Sequence, residues 1–255
     1  MNKNLKPLFN PKLLYSYYKK IDIPQSKIEM LTEKVFNIPE EAITMGKKSG
    51  NEENVKNKIV IQLVKFLDFD EQLDVNYEES KLRKSIDVTL RLSKEDKTPK
   101  ALIEVKFWKK DLDKLKKDKS NRYRSDVQQG LLYAHERGID WFIITNGYEW
   151  RFYKTFISGQ IVYNFYEEFT LESLKQEEIL KKFYLLCSKD SFKKDLQKQL
   201  FSETELLKEK VNEEIFDILV NCRSELFSDI FRSNKDFLNE KDIMEIGQKI
   251  LDRFV

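Results

Sequence analysis

The stretch SIDVTLRLSKEDKTPKALIEVKFW, residues 85–108, decides the fold. In its first third Ile86, Val88, Leu90 and Leu92 fall on one side of an extended chain, and Asp87, Thr89 and Arg91 on the other. The turn-rich SKEDKTP at 93–99 then leads into the apolar run Ala101, Leu102, Ile103 and Val105, so the two strands are expected to form a hairpin. In the second strand Ile103 and Val105 face one way, Glu104 and Lys106 the other. If the apolar sides of both strands meet one core, the pleat gathers Asp87, Glu104 and Lys106 on the opposite face. Glu-x-Lys alone is common on the wet side of a strand. Asp87 on the adjoining strand is what makes it a candidate site.

Working outward, a helix is expected at 125–137, a buried strand at 140–147 (DWFIITNG), and a returning strand at 148–153 (YEWRFY) after the Asn146-Gly147 turn signal. QIVYNFYEE at 160–168 reads as one more strand. Upstream, Pro7, Pro11 and Pro24 suggest an irregular first 25 residues, followed by a helix at 26–36. A second helix is expected within KKSGNEENVKNKIVIQLVKFLDF, with Ser49 and Glu52 at capping-box spacing and Val55, Ile59, Leu63 and Phe66 recurring at helical intervals. QLDVNY at 72–77 is strand-like. All five prolines lie at or before residue 99, and from Thr170 the apolar period is helical. Helices are expected at 171–186, from a Ser202/Glu205 capping box to about residue 231, and from about residue 240. The expected class is therefore α/β over 1–168, followed by an α-helical region over 169–255.

The chain has 255 residues, of which 35% are charged, with a net charge of +2. That excludes a polycation. Locally, 106–124 holds nine Lys and Arg against three Asp, a candidate contact for phosphates or simply a solvated loop. No apolar run approaches the ~20 residues of a membrane span, and MNKNLKPLFNPKLL lacks the apolar core of a signal peptide. Cys187 and Cys222 have no metal-type spacing and read as buried free thiols of a cytoplasmic protein without membrane contact.

Two carboxylates such as Asp87 and Glu104, completed by carbonyls and waters, suit Mg²⁺, a hard cation that keeps several waters. Such an ion activates water and neutralises charge on a scissile phosphate. Lys106 beside it is expected to orient or deprotonate that water, its pKa depressed by the ion's charge and by desolvation.

In order, GNEENVK, IDVTLR, IEVK, QQGLLYA and GIDWFIITNGYEWRFY resemble the N-terminal nuclease domains of type I and type IIG restriction enzymes, of the PD-(D/E)xK superfamily. The resemblance spans most of the chain, with its specific motifs in about 50–155. It implies a restriction-endonuclease-like mixed β-sheet flanked by helices. It makes Asp87 the metal-binding aspartate, Glu104 its acidic partner and Lys106 the lysine. The E-x-x-[TV]-[RK] segment places a further metal-binding glutamate at Glu52, with Glu53 as the alternative. Gln129 and Tyr133 match Q-x-x-x-Y and share a helix face at i and i+4, with Gln128 as the alternative. Ile86 stands where the superfamily name has proline. Trp150 and Tyr153 are expected to serve turn and core, and His135 matches no catalytic position.

The same resemblance implies a Mg²⁺-dependent type II (IIG-like) DNA endonuclease module of a restriction–modification enzyme, with Mn²⁺ able to substitute. Lys109, Lys110, Lys114, Lys116, Lys117, Arg122 and Arg124 would hold the backbone of double-stranded DNA. No phosphate loop, Gly-rich cofactor loop or N-P-P-Y occurs, so no ATP or S-adenosylmethionine site is expected. The tail resembles the connector into a methyltransferase, which makes the chain part of a longer protein or a split-gene subunit. Its expected partners are a methyltransferase or specificity domain or subunit, and a transient second copy for double-strand cleavage. The competing reading is a nuclease-like module that binds DNA or a partner without cutting.

Overall fold

The predicted hairpin lies at the heart of a six-stranded mixed sheet. The computed structural model describes residues 6–44, 48–70, 74–81, 84–117, 121–234 and 239–251. Its strands are β1 (Val75–Lys81), β2 (Lys84–Leu90), β3 (Ala101–Val105), β4 (Lys116–Lys117), β5 (Tyr123–Arg124), β6 (Trp141–Thr145), β7 (Glu149–Lys154) and β8 (Glu167–Thr170). The large sheet runs β1-β2-β3-β6-β7-β8, and β4 and β5 pair separately. β2 and β3 are antiparallel with Val88 opposite Ile103, while β3 and β6 are parallel with Ala101 opposite Trp141. A parallel neighbour needs a crossover, and α6 (Asp126–Glu136) supplies it. This is the restriction-endonuclease-like α/β arrangement expected from the sequence.

The first unit of the chain is Met1–Phe201. On one sheet face Val88, Ile103, Val105, Ile143 and Phe152 share a core with Val55, Ile59, Leu63 and Phe66. The last four lie on α4 (Lys48–Val55), the π-helical stretch Lys56–Val60 and α5 (Ile61–Phe66). The opposite face was expected to be polar. Instead, Leu102, Phe142, Ile144 and Tyr153 form a second core with Val127, Leu131 and Ala134 of α6. A sheet with a crossover helix is buried on both sides, so β2–β3 alternation marks direction and not wetness. The helix comes very close: a Cβ built on Gly130 would lie 2.1 Å from Cζ of Phe142.

Several expectations change. The region before residue 25 contains a helix, α1 (Pro11–Tyr18), because Pro11 sits in its first turn, where no N–H is missed, and Asn10 Oδ1 accepts from the Lys12 and Leu13 amides. The helix at 26–36 begins as α2 (Gln25–Leu31) and continues in π form over Thr32–Phe36, before the short α3 (Glu40–Thr44). Ser49 lies inside α4 rather than at its N-cap. The strand expected over 160–168 begins only at Glu167, after a 3₁₀ turn at Val162–Asn164. Of the strand expected at 72–77, residues 75–77 belong to β1, Asp74 lies in a turn, and residues 72 and 73 lie outside the described residues.

The expected boundary at 168/169 differs from that between the compact units, at 201/202. The reason is packing: Phe183 of α7 (Glu177–Cys187) meets Trp150 edge to face at 5.8 Å. Phe192 of α8 (Lys189–Lys193) meets Phe69 in the same core. A 39-residue helix, α9 (Leu196–Asn234), starts before Ser202, which is therefore interior to it and opens nothing. The second unit, Ser202–Val255, contains the rest of α9 and α10 (Glu240–Leu251). Within it Gly247 abuts Phe227, whose ring a Cβ would approach to 2.5 Å. Cys187 is buried as expected; Cys222 is exposed.

Candidate active site

At the end of the β2–β3 ladder the two strands part, and Asp87 bridges them through its side chain. Its Oδ2 accepts a 2.7 Å hydrogen bond from the Val105 amide. The Lys106 backbone N–H is taken by Thr145 of β6, which fixes the residue after β3 to the sheet. From there Lys106 Nζ turns back to Glu104 Oε1 at 2.6 Å, both side chains being more than four-fifths covered. Asp87, Glu104 and Lys106 are thus gathered at one point by strand alternation alone.

Burial governs their charges. It raises the Asp87 pKa, opposed by the Val105 N–H bond and Lys106. It pushes Glu104 to about 7, although Lys106 pulls the other way. Burial also presses the Lys106 pKa down, but Glu104's charge and hydrogen bond, with Asp87 and Glu52, outweigh it, so the net shift is upward. The carboxylate that holds the ammonium, with two more acting on it at longer range, thus opposes the depression expected from a bound ion.

Glu52 is half-buried in α4 and acts electrostatically on both Asp87 and Lys106. Glu53 is exposed and tied to Lys56 at 2.8 Å and to Asn57 at 2.9 Å. On α6, Gln128 completes a capping box with Ser125: its Oε1 accepts from the Ser125 amide and its own amide donates to Ser125 Oγ. Gln129 and Tyr133 are half-buried on one helix flank, and Gln129 makes no hydrogen bond to either carboxylate.

Asp126, one turn earlier on that flank, was not singled out in the sequence. It raises the Glu104 pKa and ion-pairs with Lys110 at 2.8 Å and Lys116 at 3.3 Å. Its place as the first residue after an N-cap serine was the available signal.

Residues 42–159 match the family model of the type I restriction enzyme R protein N terminus. The match supports a restriction-enzyme nuclease-like domain, and it encloses every candidate residue described above. Curated proteins and solved structures gave no match.

In this nuclease-like domain the basic segment between β3 and α6 divides into two groups. Lys110, held by Asp126, is largely covered, and burial lowers its pKa. Lys109 is exposed, paired with Glu40 at 2.9 Å and lying over the Trp108 and Tyr148 rings. Lys114, Lys116, Lys117 and Arg122 are exposed, and Arg124 is half-buried. Lys116 stands opposite Arg124, and Lys117 opposite Tyr123, in the β4–β5 ribbon. Asn146 of the T-N-G turn fastens this segment: its Nδ2 donates to the Lys110 carbonyl at 2.8 Å, and its own carbonyl accepts from the Lys109 amide at 3.2 Å.

A second clamp is the buried Arg151, opposite Ile144 on the sheet. Its two terminal nitrogens grip Asp113 at 2.8 and 3.1 Å, Nε donates to Glu149, and Glu168 lies at 3.5 Å. Residues so distant in sequence gave no sign of this clamp.

The donor set of the domain fits a hard divalent ion: two mostly buried carboxylates, with Thr89 Oγ1 buried and unpartnered further along the Asp87 side of β2. Among the described residues no group of three or more His, Cys, Asp and Glu forms a metal cage. Glu52 acts on Asp87 and Lys106 from α4. Among the same residues, no helix is long and apolar enough to cross a membrane.

Proposed function

We propose that the chain carries a Mg²⁺-dependent DNA endonuclease module of PD-(D/E)xK type, working in a type IIG-like restriction–modification system, with Mn²⁺ able to substitute. One observation carries this reading: Asp87, Glu104 and Lys106 meet at the end of one hairpin, inside the span that matches the restriction-enzyme family. Asp87 and Glu104 would hold the ion, with Glu52 adding negative charge beside them. Bound there, the ion would supply charge neutralisation at the phosphate and a more acidic water. Lys106, steered by Glu104, would donate hydrogen bonds that orient the attacking water against the phosphorus. Gln129, on the flank shared with Asp126, would steady the phosphate from the helix side.

The exposed cations of the β4–β5 ribbon would hold backbone phosphates of double-stranded DNA, which positions the duplex without reading it. Sequence reading would then fall to a methyltransferase or specificity domain or subunit, reached through the helical region after residue 168. Cutting both strands would take a transient second copy.

The experiment is Mg²⁺-dependent nicking of supercoiled DNA by wild type, Asp87→Ala, Glu104→Ala and Lys106→Ala, each checked for its fold by circular dichroism. All three variants should be inactive, and undiminished cleavage by Lys106→Ala removes that residue from the mechanism. A second reading, a nuclease-like module that binds without cutting, is favoured by the engagement of Glu104 Oε1 by Lys106. Calorimetry separates the two, because only the nuclease requires Mn²⁺ binding that disappears in Asp87→Ala.

A further inference from the structure

Across α6 from the carboxylates lies an open groove that the proposed chemistry does not use. A cavity of about 430 Å³ is bounded by Tyr123, Arg124, Leu131, His135 and Tyr163. It adjoins a second of about 470 Å³ with which it shares His135, Thr155 and Val162. Each volume falls in the range of roughly 300–1,000 Å³ typical of small-molecule sites. Three aromatic rings stand open here: Tyr123 is 68% exposed, Phe156 58% and Tyr163 41%. Among the described residues, no Asp or Glu lines either cavity.

The chemistry of the walls is selective. The apolar floor comes from α6, and His135 stacks on Phe156 at 5.7 Å. Two polar side chains are already engaged: Gln128 Oε1 accepts from Ser125, and Thr155 Oγ1 donates to the Ile139 carbonyl. The same walls present ring faces beside the Arg124 guanidinium. Tyr123 and Arg124 belong to the ribbon whose other strand is Lys116–Lys117, and Lys116 reaches Asp126 near Glu104. Basic groups therefore run from the carboxylates over the ribbon to the groove.

We infer that the groove binds unpaired DNA, taking one or two bases against Tyr123 and Tyr163 while Arg124 and its neighbours hold the intervening phosphates. This rests on the nuclease reading above and names the strand form that the module would prefer. Rings beside cations bind single strands without sequence preference, because every base has a π-face. A groove for an apolar helix of a partner protein would share the leucine floor, but would not call for exposed rings joined to a basic track.

The test is fluorescence anisotropy of the full chain in EDTA, where no cleavage intervenes, with a blunt duplex and the same duplex carrying a five-nucleotide flap. Tyr123→Ala and Tyr163→Ala should each weaken flap binding by about 5- to 50-fold and leave the blunt duplex within twofold. Tyr123→Phe, which keeps the ring, should behave as wild type. Replacing the flap bases by abasic sites should weaken wild-type binding at least as much as either alanine variant does and erase the difference between wild type and those variants. Equal loss on both DNAs, loss in Tyr123→Phe, or indifference to the abasic flap overturns the inference. Unchanged oligonucleotide affinity in every variant does so too, and leaves the apolar partner helix as the occupant. The assay reads binding alone, so it fails independently of the nicking experiment: an inactive nuclease with an intact flap preference overturns only the catalytic reading.

Discussion

Asp87 Oδ2 accepts the Val105 amide at 2.7 Å, so one carboxylate both closes the β2–β3 hairpin and faces Glu104. The two duties separate by substitution. Asp87→Asn keeps an oxygen for the Val105 N–H and should hold the melting temperature near wild type while abolishing Mg²⁺-dependent nicking. Asp87→Ala should lose nicking and also about 1 kcal/mol of stability, the usual net worth of such a bond. Thermal melts beside a nicking assay distinguish them, and residual cleavage by Asp87→Asn contradicts the role.

Glu104 gives the ion-free protein a pH signature. The unfolded chain releases this proton near 4.5, the folded one only near 7. Between those values the native state binds more protons, so stability falls as pH rises across that window. The loss from this group is on the order of 3 kcal/mol. Urea titrations in EDTA at pH 5 and pH 8 should show it, Glu104→Gln should flatten it, and Mn²⁺ should offset it at the higher pH.

Asn146 links the T-N-G turn to the basic segment. Asn146→Ala removes a donor to Lys110 and the acceptor that serves the Tyr148 and Glu149 amides, in a buried setting. The expected cost is roughly 1–3 kcal/mol, the penalty of buried groups left unpaired. DNA affinity should drop in parallel, because the Lys110 carbonyl loses its side-chain anchor while the Lys109 amide keeps only the backbone carbonyl of residue 146. Unchanged affinity in a folded variant shows that the anchor is dispensable.

Arg151 should tolerate no substitute. Arg151→Leu leaves Glu149 and Glu168 without their shared cation and frees Asp113, a loss of about 3–5 kcal/mol. Arg151→Lys should recover little of it, since an ammonium cannot match the two-pronged contact with Asp113. Chemical denaturation of the three proteins measures this.

The sequence carried Asp87, Glu104 and Lys106 because strand alternation is strict and local: two residues along the chain return to the same side. It carried α6 in outline as a helix at 125–137, although the Ser125 and Gln128 capping box that opens it was not singled out. Features that depend on long-range closure were not legible. Arg151 meets Asp113 thirty-eight positions away, and the second core on the α6 side exists only because β6 lies parallel to β3. Local signals also misled where a neighbour overruled them. Pro11 looked like a break but begins a helix, and the Ser202/Glu205 spacing looked like a start but falls inside α9, which begins at Leu196.

The β3–β6 register has a last consequence. Ala101–Val105 and Trp141–Thr145 align residue for residue, although the ribbon, α6 and their loops intervene. The carboxylates depend on that alignment and not on the reach of the ribbon. A descendant of this chain could therefore keep Leu112 and Asp113, exchange the 114–124 segment for a longer or differently charged one, and inherit the carboxylate pair unaltered. In this architecture, substrate preference and chemistry are free to evolve at different rates.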